Sequence, residues 1–109
     1  MSNNRYPTII CLSGVFAGRQ FPIGNGVILG TDPTVCQIVL PATNPGVSRN
    51  HCKVTFDPRS NMFIIHDMGS TNGTFLGNGQ KIAQGVPYAI HPGTTFYLAT
   101  PGNSFEVRL

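Results

Sequence analysis

Short runs of apolar residues recur along the chain, and glycine, proline and asparagine separate them. In residues 51–56 the apolar side chains of Cys52, Val54 and Phe56 fall at every second position, on one face of a half-buried strand. Similar runs predict strands at 8–12, 18–23, 27–30, 37–40, 62–67, 81–82, 87–90, 94–98 and 105–109. No helical spacing persists for ten residues, so the pattern indicates an all-β fold.

Two Asn-Gly pairs mark tight turns between these segments. Asn25 with Gly26, and Asn78 with Gly79, are hairpin signals because both residue types tolerate positive φ. Short strands at intervals of about 8–12 residues are typical of two packed sheets. We therefore predict that residues 8–109 form an all-β domain, a β-sandwich of about 10–11 short strands in two sheets, with recognition loops at one end.

Length and composition narrow the class further. A chain of 109 residues that is 40% apolar can bury one core, and we assign residues 1–7 to a flexible N-terminal tail before it. Charged residues make up only 10%, too few for the charged outer faces of a coiled coil or helix bundle. No apolar run approaches the roughly 18 residues of a membrane span, and the N-terminus lacks the apolar centre of a signal peptide. We therefore expect a monomeric, cytoplasmic domain with no membrane partner.

Charge and cysteine content limit the partners. A net charge of +3 favours an anionic partner, but the seven Lys and Arg residues form no run, so we expect no nucleic-acid partner. The three cysteines, Cys11, Cys36 and Cys52, are odd in number and form no CxxC pair. We interpret them as reduced core residues, and we expect no disulfide, metal or cofactor.

Two polar loops carry the residues best suited to binding. Residues 46–51 precede one predicted strand, and residues 69–75 follow another. Both loops are rich in short hydroxyl and amide side chains, and successive loop N–H groups can form an anion-binding nest. With Arg49 beside them, they suit a phosphate better than a metal or a nucleic acid. The alternative interpretation is ordinary turn chemistry, which the same residue types provide.

Three other chemistries have weaker support. Ser48, His51 and Asp67 could form a hydrolytic triad, but no strained nucleophile turn surrounds the serine, so we predict no catalytic residue. The pairs His51 with Cys52 and His66 with Asp67, together with the single His91, are the candidate zinc ligands. Because adjacent strand residues point to opposite faces, each pair offers only one inward ligand, which argues against a zinc site. The glycines at 14 and 18 precede no helix or lysine, which argues against a nucleotide loop.

Four ordered segments together resemble a forkhead-associated (FHA) domain: 28–30, 48–51, 67–75 and 78–79. The resemblance extends over nearly the whole chain, from about residue 8 to residue 109. It implies a non-catalytic β-sandwich that binds phosphothreonine peptides, with a small pocket for the threonine methyl group and with flanking residues setting specificity. The expected partner is therefore a protein or peptide that contains phosphothreonine.

The resemblance also implies a role for each matching residue of the two loops. Ser48 is expected to donate its hydroxyl to the phosphate, and Thr71 is expected to make a second phosphate contact. Arg49 follows Ser48 at a position whose backbone and side chain face the ligand. Asn72 is expected to bond the peptide backbone beside the phosphothreonine. Together these residues would form the phosphopeptide-binding surface.

Four further residues would support that surface. His51 resembles a buried histidine that ties the two loops together. Substituting it is therefore expected to destabilise the fold, whereas an enzyme hypothesis would predict loss of catalytic turnover without unfolding. Gly73 would permit the turn of the second loop, and Phe75 would anchor that loop in the core. Gly30 matches the glycine of the family's Gly-Arg pair.

The chain departs from the family at Thr31, where the arginine of that pair is expected. Thr31 offers the site one hydroxyl and no charge, and Asp32 beside it repels an anion. Because a charge-assisted hydrogen bond contributes roughly 1.5–3 kcal/mol, its loss predicts phosphopeptide binding weakened by about ten- to a hundredfold. Arg49 and Arg19 are the candidates to compensate. The alternative hypothesis is a degenerate FHA domain that binds partner proteins independently of phosphate.

Overall fold

The computed structural model describes residues 6–44 and 46–109, which form two five-stranded sheets packed against each other. Within these residues the strands are β1 (Thr8–Cys11), β2 (Gln20–Pro22), β3 (Val27–Gly30), β4 (Ile38–Val39), β5 (Cys52–Asp57), β6 (Met62–Asp67), β7 (Thr74–Leu76), β8 (Tyr88–Ile90), β9 (Thr95–Leu98) and β10 (Ser104–Arg108). A 3-10 turn, Pro101–Asn103, precedes β10. The predicted all-β sandwich in two sheets is confirmed.

The strand order brings the two polar loops to the same end of the sandwich. The first sheet has the order β2-β1-β10-β9-β7, and the second has the order β4-β3-β5-β6-β8. The longest ladder joins β5 to β6 through six residue pairs, from Cys52 opposite Asp67 to Asp57 opposite Met62. Because Cys52 begins β5 and Asp67 ends β6, the loops that leave the ladder there emerge side by side.

Aromatic and aliphatic side chains from both sheets fill the space between them. Phe96 and Phe105 are fully buried and stack with their ring centroids 5.5 Å apart. Cys52 and Val54 of β5 lie in this core and Phe56 packs against it, as the alternation along β5 predicted. The three cysteines all lie in the described ranges and are buried and free of disulfide bonds.

The hairpin predicted at Asn25 and Gly26 is wrong. The turn connects β2 of the first sheet to β3 of the second sheet, so the two strands do not pair. The chain does reverse locally, because the N–H of Gly26 bonds to the carbonyl of Ile23 at 2.8 Å and Gly26 has a φ of 126°. Positive φ fixes the reversal, whereas burial of the flanking apolar side chains decides which sheet each strand joins.

The turn at Asn78 and Gly79 is present, but its two arms differ from the prediction. The arm before it is β7, a strand that the sequence pattern did not identify. The arm after it, predicted as a strand at 81–82, is reduced to one bridge between Phe75 and Lys81. The chain leaves β7 soon after this bridge because residues 84–85 bond to Asp67 at the end of β6.

The N-terminal end of the chain is described from Tyr6 onward. Residues 1–5 of the tail predicted at 1–7 lie outside the described residues. Tyr6 is exposed, whereas the carbonyl of Pro7 accepts a hydrogen bond from the N–H of Ile23 at 3.0 Å. Over 6–44 and 46–109, no helix has the length and apolar character needed to cross a membrane.

Candidate functional site

The loop between β4 and β5 contacts the loop between β6 and β7. The hydroxyl oxygen of Ser48 accepts a hydrogen bond from the N–H of Thr71 at 3.1 Å. Nδ2 of Asn72 donates to the carbonyl of Gly46 at 3.0 Å. These bonds join residues that are 23 and 26 positions apart in the sequence. The two polar loops therefore face each other and share one surface.

His51 connects the two loops beneath that surface. Its side chain is fully buried, with Nδ1 3.1 Å from the backbone nitrogen of Ser48 and Nε2 2.8 Å from the carbonyl oxygen of Gly73. Because Nδ1 accepts the Ser48 N–H, the ring carries its proton on Nε2 and donates it to Gly73. Burial lowers the pKa of His51, so the ring is neutral at pH 7 and can hold both bonds.

Acidification is expected to destabilise the fold through His51. Because burial lowers the pKa of His51 below its ordinary value of 6.5, the unfolded chain binds this proton more readily than the folded chain. The stabilisation is complete above pH 6.5 and is lost as the pH falls through that value toward the folded-state pKa. We expect the urea midpoint to fall between about pH 7 and about pH 5.

Surface histidines provide the control for this pH dependence. A chain carrying both His66→Gln and His91→Gln should keep the fall of the midpoint, because neither of these side chains is buried. A wild-type midpoint that is constant over this pH range would contradict the prediction. If the urea midpoint of the double variant no longer depends on pH, the dependence comes from His66 or His91 and not from His51.

Asp67 fixes the backbone of the second loop. Its buried carboxylate accepts four hydrogen bonds at 2.6–2.9 Å, from the N–H groups of Gly69 and Ser70 and from the hydroxyls of Ser70 and Thr74. Burial alone would raise the pKa of Asp67, but these bonds, those from Ser70 foremost, hold it below its ordinary value. The Ser70 hydroxyl also accepts the N–H of Gly73 at 2.9 Å. The loop is therefore held at both ends around its exposed centre.

The end of β3 supports the first loop by close backbone contact. The N–H groups of Thr31 and Asp32 donate to the carbonyls of Ser48 and Arg49, each at 3.2 Å. Gly30 lies against the same stretch of backbone. A Cβ atom on it would stand 2.9 Å from the Ser48 oxygen and 2.7 Å from the Arg49 carbonyl carbon. A glycine is needed here because any side chain would displace the loop.

A polar cleft of about 590 Å³ lies between the two loops and is lined by Gly46, Val47, Ser48, Arg49, Asn50, Gly69, Thr71 and Asn72. Four of the five contacts predicted from the sequence are therefore brought together here: Ser48, Arg49, Thr71 and Asn72. Thr31, the fifth, is bonded to the Ser48 backbone beside the cleft but does not line it.

The open hydrogen-bonding groups of this polar cleft include several donors. Because the Ser48 oxygen already accepts from Thr71, its own hydrogen can turn toward the cleft, and the described residues offer it no acceptor. The Asn72 amide uses one N–H for Gly46 and keeps a second N–H and its oxygen for a ligand. Arg49 is exposed and adds positive charge to the wall. The arrangement can bind an anion that offers acceptors.

Asp32 and Arg19 are the two other charged residues that bear on the positive charge of the polar cleft. Hydrogen bonds from Thr34 lower the pKa of Asp32, which is therefore a carboxylate at neutral pH and attracts Arg49. Arg19 does not line the cleft, because its guanidinium lies over two phenylalanine rings, 5.2 Å and 5.4 Å from their centroids. Of the two candidates to compensate for the missing arginine, only Arg49 is at the cleft.

Phe75 does not anchor its loop in the core, so that prediction is wrong. Phe75 is the middle residue of β7, and its neighbours Thr74 and Leu76 are the ones that point inward. The Phe75 ring is half-buried on the outer side and stacks on Tyr97 with a centroid distance of 5.0 Å. The sequence pattern indicates a loop at this residue, whereas in a strand every second side chain points outward.

Ser48, His51 and Asp67 do not have the geometry of a hydrolytic triad. His51 bonds to the N–H of Ser48, not to its hydroxyl, and its other nitrogen bonds to Gly73. Neither ring nitrogen is left to accept the serine proton, which a hydrolase would require. The Asp67 carboxylate accepts its hydrogen bonds from the loop that follows β6 and from Thr74 of β7, and it does not orient the histidine.

A second cleft of about 670 Å³, which the sequence pattern does not predict, adjoins the polar cleft. Its walls are mostly apolar and include Val15, Phe16 and Phe105, which lie far apart in the chain. It shares Gly46 and Asn72 with the polar cleft, so the bonded pair formed by these two residues borders both clefts. We call it the apolar cleft. No local motif could have revealed it, because its walls come from four connections that are far apart in the chain: β1–β2, β4–β5, β6–β7 and β9–β10.

Comparison with known proteins points to one family. A family model described as FHA domain matches residues 23–99, which include both loops of the polar cleft. The chain is also similar to the probable serine/threonine-protein kinase fhkC of Dictyostelium discoideum, with 37% identity over 93 residues. The similar region covers 84% of this chain and 13% of that kinase.

Solved structures give the same result. The chain is similar to the crystal structure of the FHA domain of the CT664 protein from Chlamydia trachomatis, with a TM-score of 0.80 and 26% identity. This similarity covers 96% of this chain and 98% of that one. A second similar structure comes from a structural and functional analysis of phosphothreonine-dependent FHA domain interactions. It has a TM-score of 0.72 and 25% identity, and the match covers 96% of this chain and 97% of that one.

Proposed function

The chain belongs to the forkhead-associated family, and from this membership we propose that it is a non-catalytic module that binds phosphothreonine peptides of partner proteins in signalling. The observation that carries the proposal is the contact of Ser48 with Thr71, at 3.1 Å, across one cleft with open donors. The similar structure described in terms of phosphothreonine-dependent interactions supports the same ligand.

Phosphate recognition would rest on donors that are already in place. A phosphothreonine side chain carries a charge of about −1.5 to −2 at pH 7 and presents acceptor oxygens. The hydroxyls of Ser48 and Thr71 would donate to these oxygens, and Arg49 would add a charge-assisted hydrogen bond. Because His51 and Asp67 already hold the two loops in position, little conformational entropy would be lost on binding.

The rest of the peptide would use the neighbouring groups. Asn72 would bond the peptide main chain beside the phosphothreonine through its second N–H and its oxygen. Val47, which is half-buried in the wall of the polar cleft, would contact the threonine methyl group. The apolar cleft would accept an apolar side chain from a residue that flanks the phosphothreonine.

Titration with a phosphothreonine peptide and its unphosphorylated twin tests this function. We expect the twin to bind at least about tenfold more weakly, because without the phosphate the donors of the polar cleft lose their acceptors. Ser48→Ala should weaken phosphopeptide binding by about tenfold through loss of one donor to a charged group. Fluorescence polarisation measures each affinity.

Ser60→Ala is the matched control for the Ser48 variant. Ser60 lies in the exposed turn between β5 and β6 and bonds to Asp57, away from both clefts. This change should leave the affinity for the phosphopeptide unaltered. Equal affinities for the two peptides, or equal effects of Ser48→Ala and Ser60→Ala, would refute phosphate recognition at the polar cleft.

Partner binding that does not depend on phosphate is the second candidate function. Thr31 supplies no charge where the family resemblance expects arginine, and the Asp32 carboxylate attracts Arg49. Both features reduce the positive potential of the polar cleft. In this case a sheet face or an exposed strand edge would bind the partner, and Ser48→Ala would not change the affinity.

We propose further that the domain is monomeric and cytoplasmic and binds neither nucleic acid nor membrane. The low charge content and the absence of a basic run in the sequence favour the absence of a nucleic-acid partner. The similar protein of Dictyostelium discoideum is named as a kinase, and this chain spans 13% of its length. We propose no enzymatic activity for the domain. For the hydrolase candidate at Ser48, both ring nitrogens of His51 already have partners and cannot take up the serine proton.

A further inference from the structure

Gln84 holds the second loop of the polar cleft from outside the cleft. This residue lies between β7 and β8, where its Nε2 donates to the carbonyl of Ser70 at 2.6 Å. The next residue, Gly85, donates its N–H to the carbonyl of Asp67 at 2.9 Å. Gln84 does not line either cleft and belongs to none of the segments that carry the family resemblance.

The bond from Gln84 acts on the peptide group that connects Ser70 to Thr71. A peptide group is planar, so the Ser70 carbonyl and the Thr71 N–H move as one rigid unit. Gln84 bonds to the carbonyl on one side of this unit, and the Ser48 oxygen accepts from the N–H on the other side. The orientation of the plane is therefore fixed by one residue outside the cleft and one residue inside it.

Ser48 depends on this plane for its orientation toward a ligand. Its oxygen accepts from the N–H of Thr71, and this bond leaves the hydroxyl hydrogen free to donate toward the polar cleft. We propose that Gln84 is a positioning residue for phosphothreonine recognition, acting through the Ser70–Thr71 peptide plane on the Ser48 hydroxyl. This inference rests on the proposed function and extends it to a residue of a third loop.

Three variants test the role of Gln84. Gln84→Ala removes the donor and the side-chain stem, and Gln84→Glu keeps the shape but presents a carboxylate that cannot donate at pH 7. Gln80→Ala is the matched control, because Gln80 lies in the neighbouring turn and its side chain bonds weakly to Tyr88 at 3.4 Å. Urea unfolding of each variant identifies any general loss of stability.

Two readouts are expected to change together. Both Gln84 variants should bind the phosphopeptide about two- to tenfold more weakly, the effect of one lost hydrogen bond. In the peptide-free protein they should also speed hydrogen exchange of the Thr71 amide by a similar factor, because its bond to Ser48 is loosened. Gln80→Ala should leave both values unchanged.

The outcomes separate this inference from the proposed function. If Gln84→Glu behaves as wild type in both readouts, packing and not the hydrogen bond matters, and the inference is overturned. It is also overturned if the Thr71 amide exchanges at the wild-type rate in Gln84→Ala. If the wild-type chain binds no phosphopeptide, the proposed function fails, while the exchange rate still decides whether Gln84 positions Thr71.

Discussion

Gly30→Ala is expected to lower the free energy of unfolding by about 3 kcal/mol and to weaken phosphopeptide binding by at least about tenfold. The added methyl group would stand 2.7 Å from the Arg49 carbonyl carbon and 2.9 Å from the Ser48 oxygen. Both are backbone atoms, so no side-chain rotation relieves the overlap. The loop must retreat from β3, which breaks the 3.2 Å bonds from Thr31 and Asp32.

Gly102→Ala provides the matched control for that variant. Gly102 lies outside the left-handed region, and a Cβ atom there would meet only the Thr100 hydroxyl at an ordinary distance of 3.6 Å. Urea unfolding of both variants separates a collision at the loop from the general effect of losing a glycine. Because Gly102 lines the apolar cleft, Ser60→Ala is the control for the phosphopeptide titration. If the free energy of unfolding of Gly30→Ala stays within about 0.5 kcal/mol of that of Gly102→Ala, the loop does not lie as close to β3 as the structure places it.

The sequence was informative where structure is encoded by local alternation. Cys52, Val54 and Phe56 follow the period of two along β5 and pack in the core, because burial of one strand face fixes the register. The residues of the two polar loops were likewise identified by their types alone. Ser48 and Asn72 contribute to one cleft because they leave the same end of the β5–β6 ladder.

The sequence failed where the outcome depends on contacts between distant segments. Asn25 and Gly26 specify a reversal of the chain but not the sheet that the next strand joins. Phe75 was misjudged because β7 is only three residues long, too short to show an alternating pattern. The bond from Gln84 to Ser70 and the walls of the apolar cleft exist only in the folded chain.

Thr31→Arg is expected to strengthen phosphopeptide binding by about ten- to a hundredfold, because it adds a charge-assisted hydrogen bond of roughly 1.5–3 kcal/mol. Thr31 is already bonded to the Ser48 carbonyl at 3.2 Å, so a side chain at this position starts beside the polar cleft. An arginine is long enough to extend into it, and its planar fork matches the oxygens of a phosphate. Polarisation titration against both peptides measures the gain.

Two controls establish whether the gain comes from phosphate recognition. Ser60→Arg adds the same charge at the exposed β5–β6 turn and should leave the affinity nearly unchanged at physiological salt, because charges separated by more than a Debye length are screened. Thr31→Lys adds the charge without the planar fork and should give a smaller gain. A gain confined to the phosphopeptide requires the phosphate to lie beside Ser48 and residue 31. An equal gain in affinity for both peptides would mean that the new charge attracts any peptide. No gain in affinity would mean that the phosphate binds elsewhere or does not contribute to recognition.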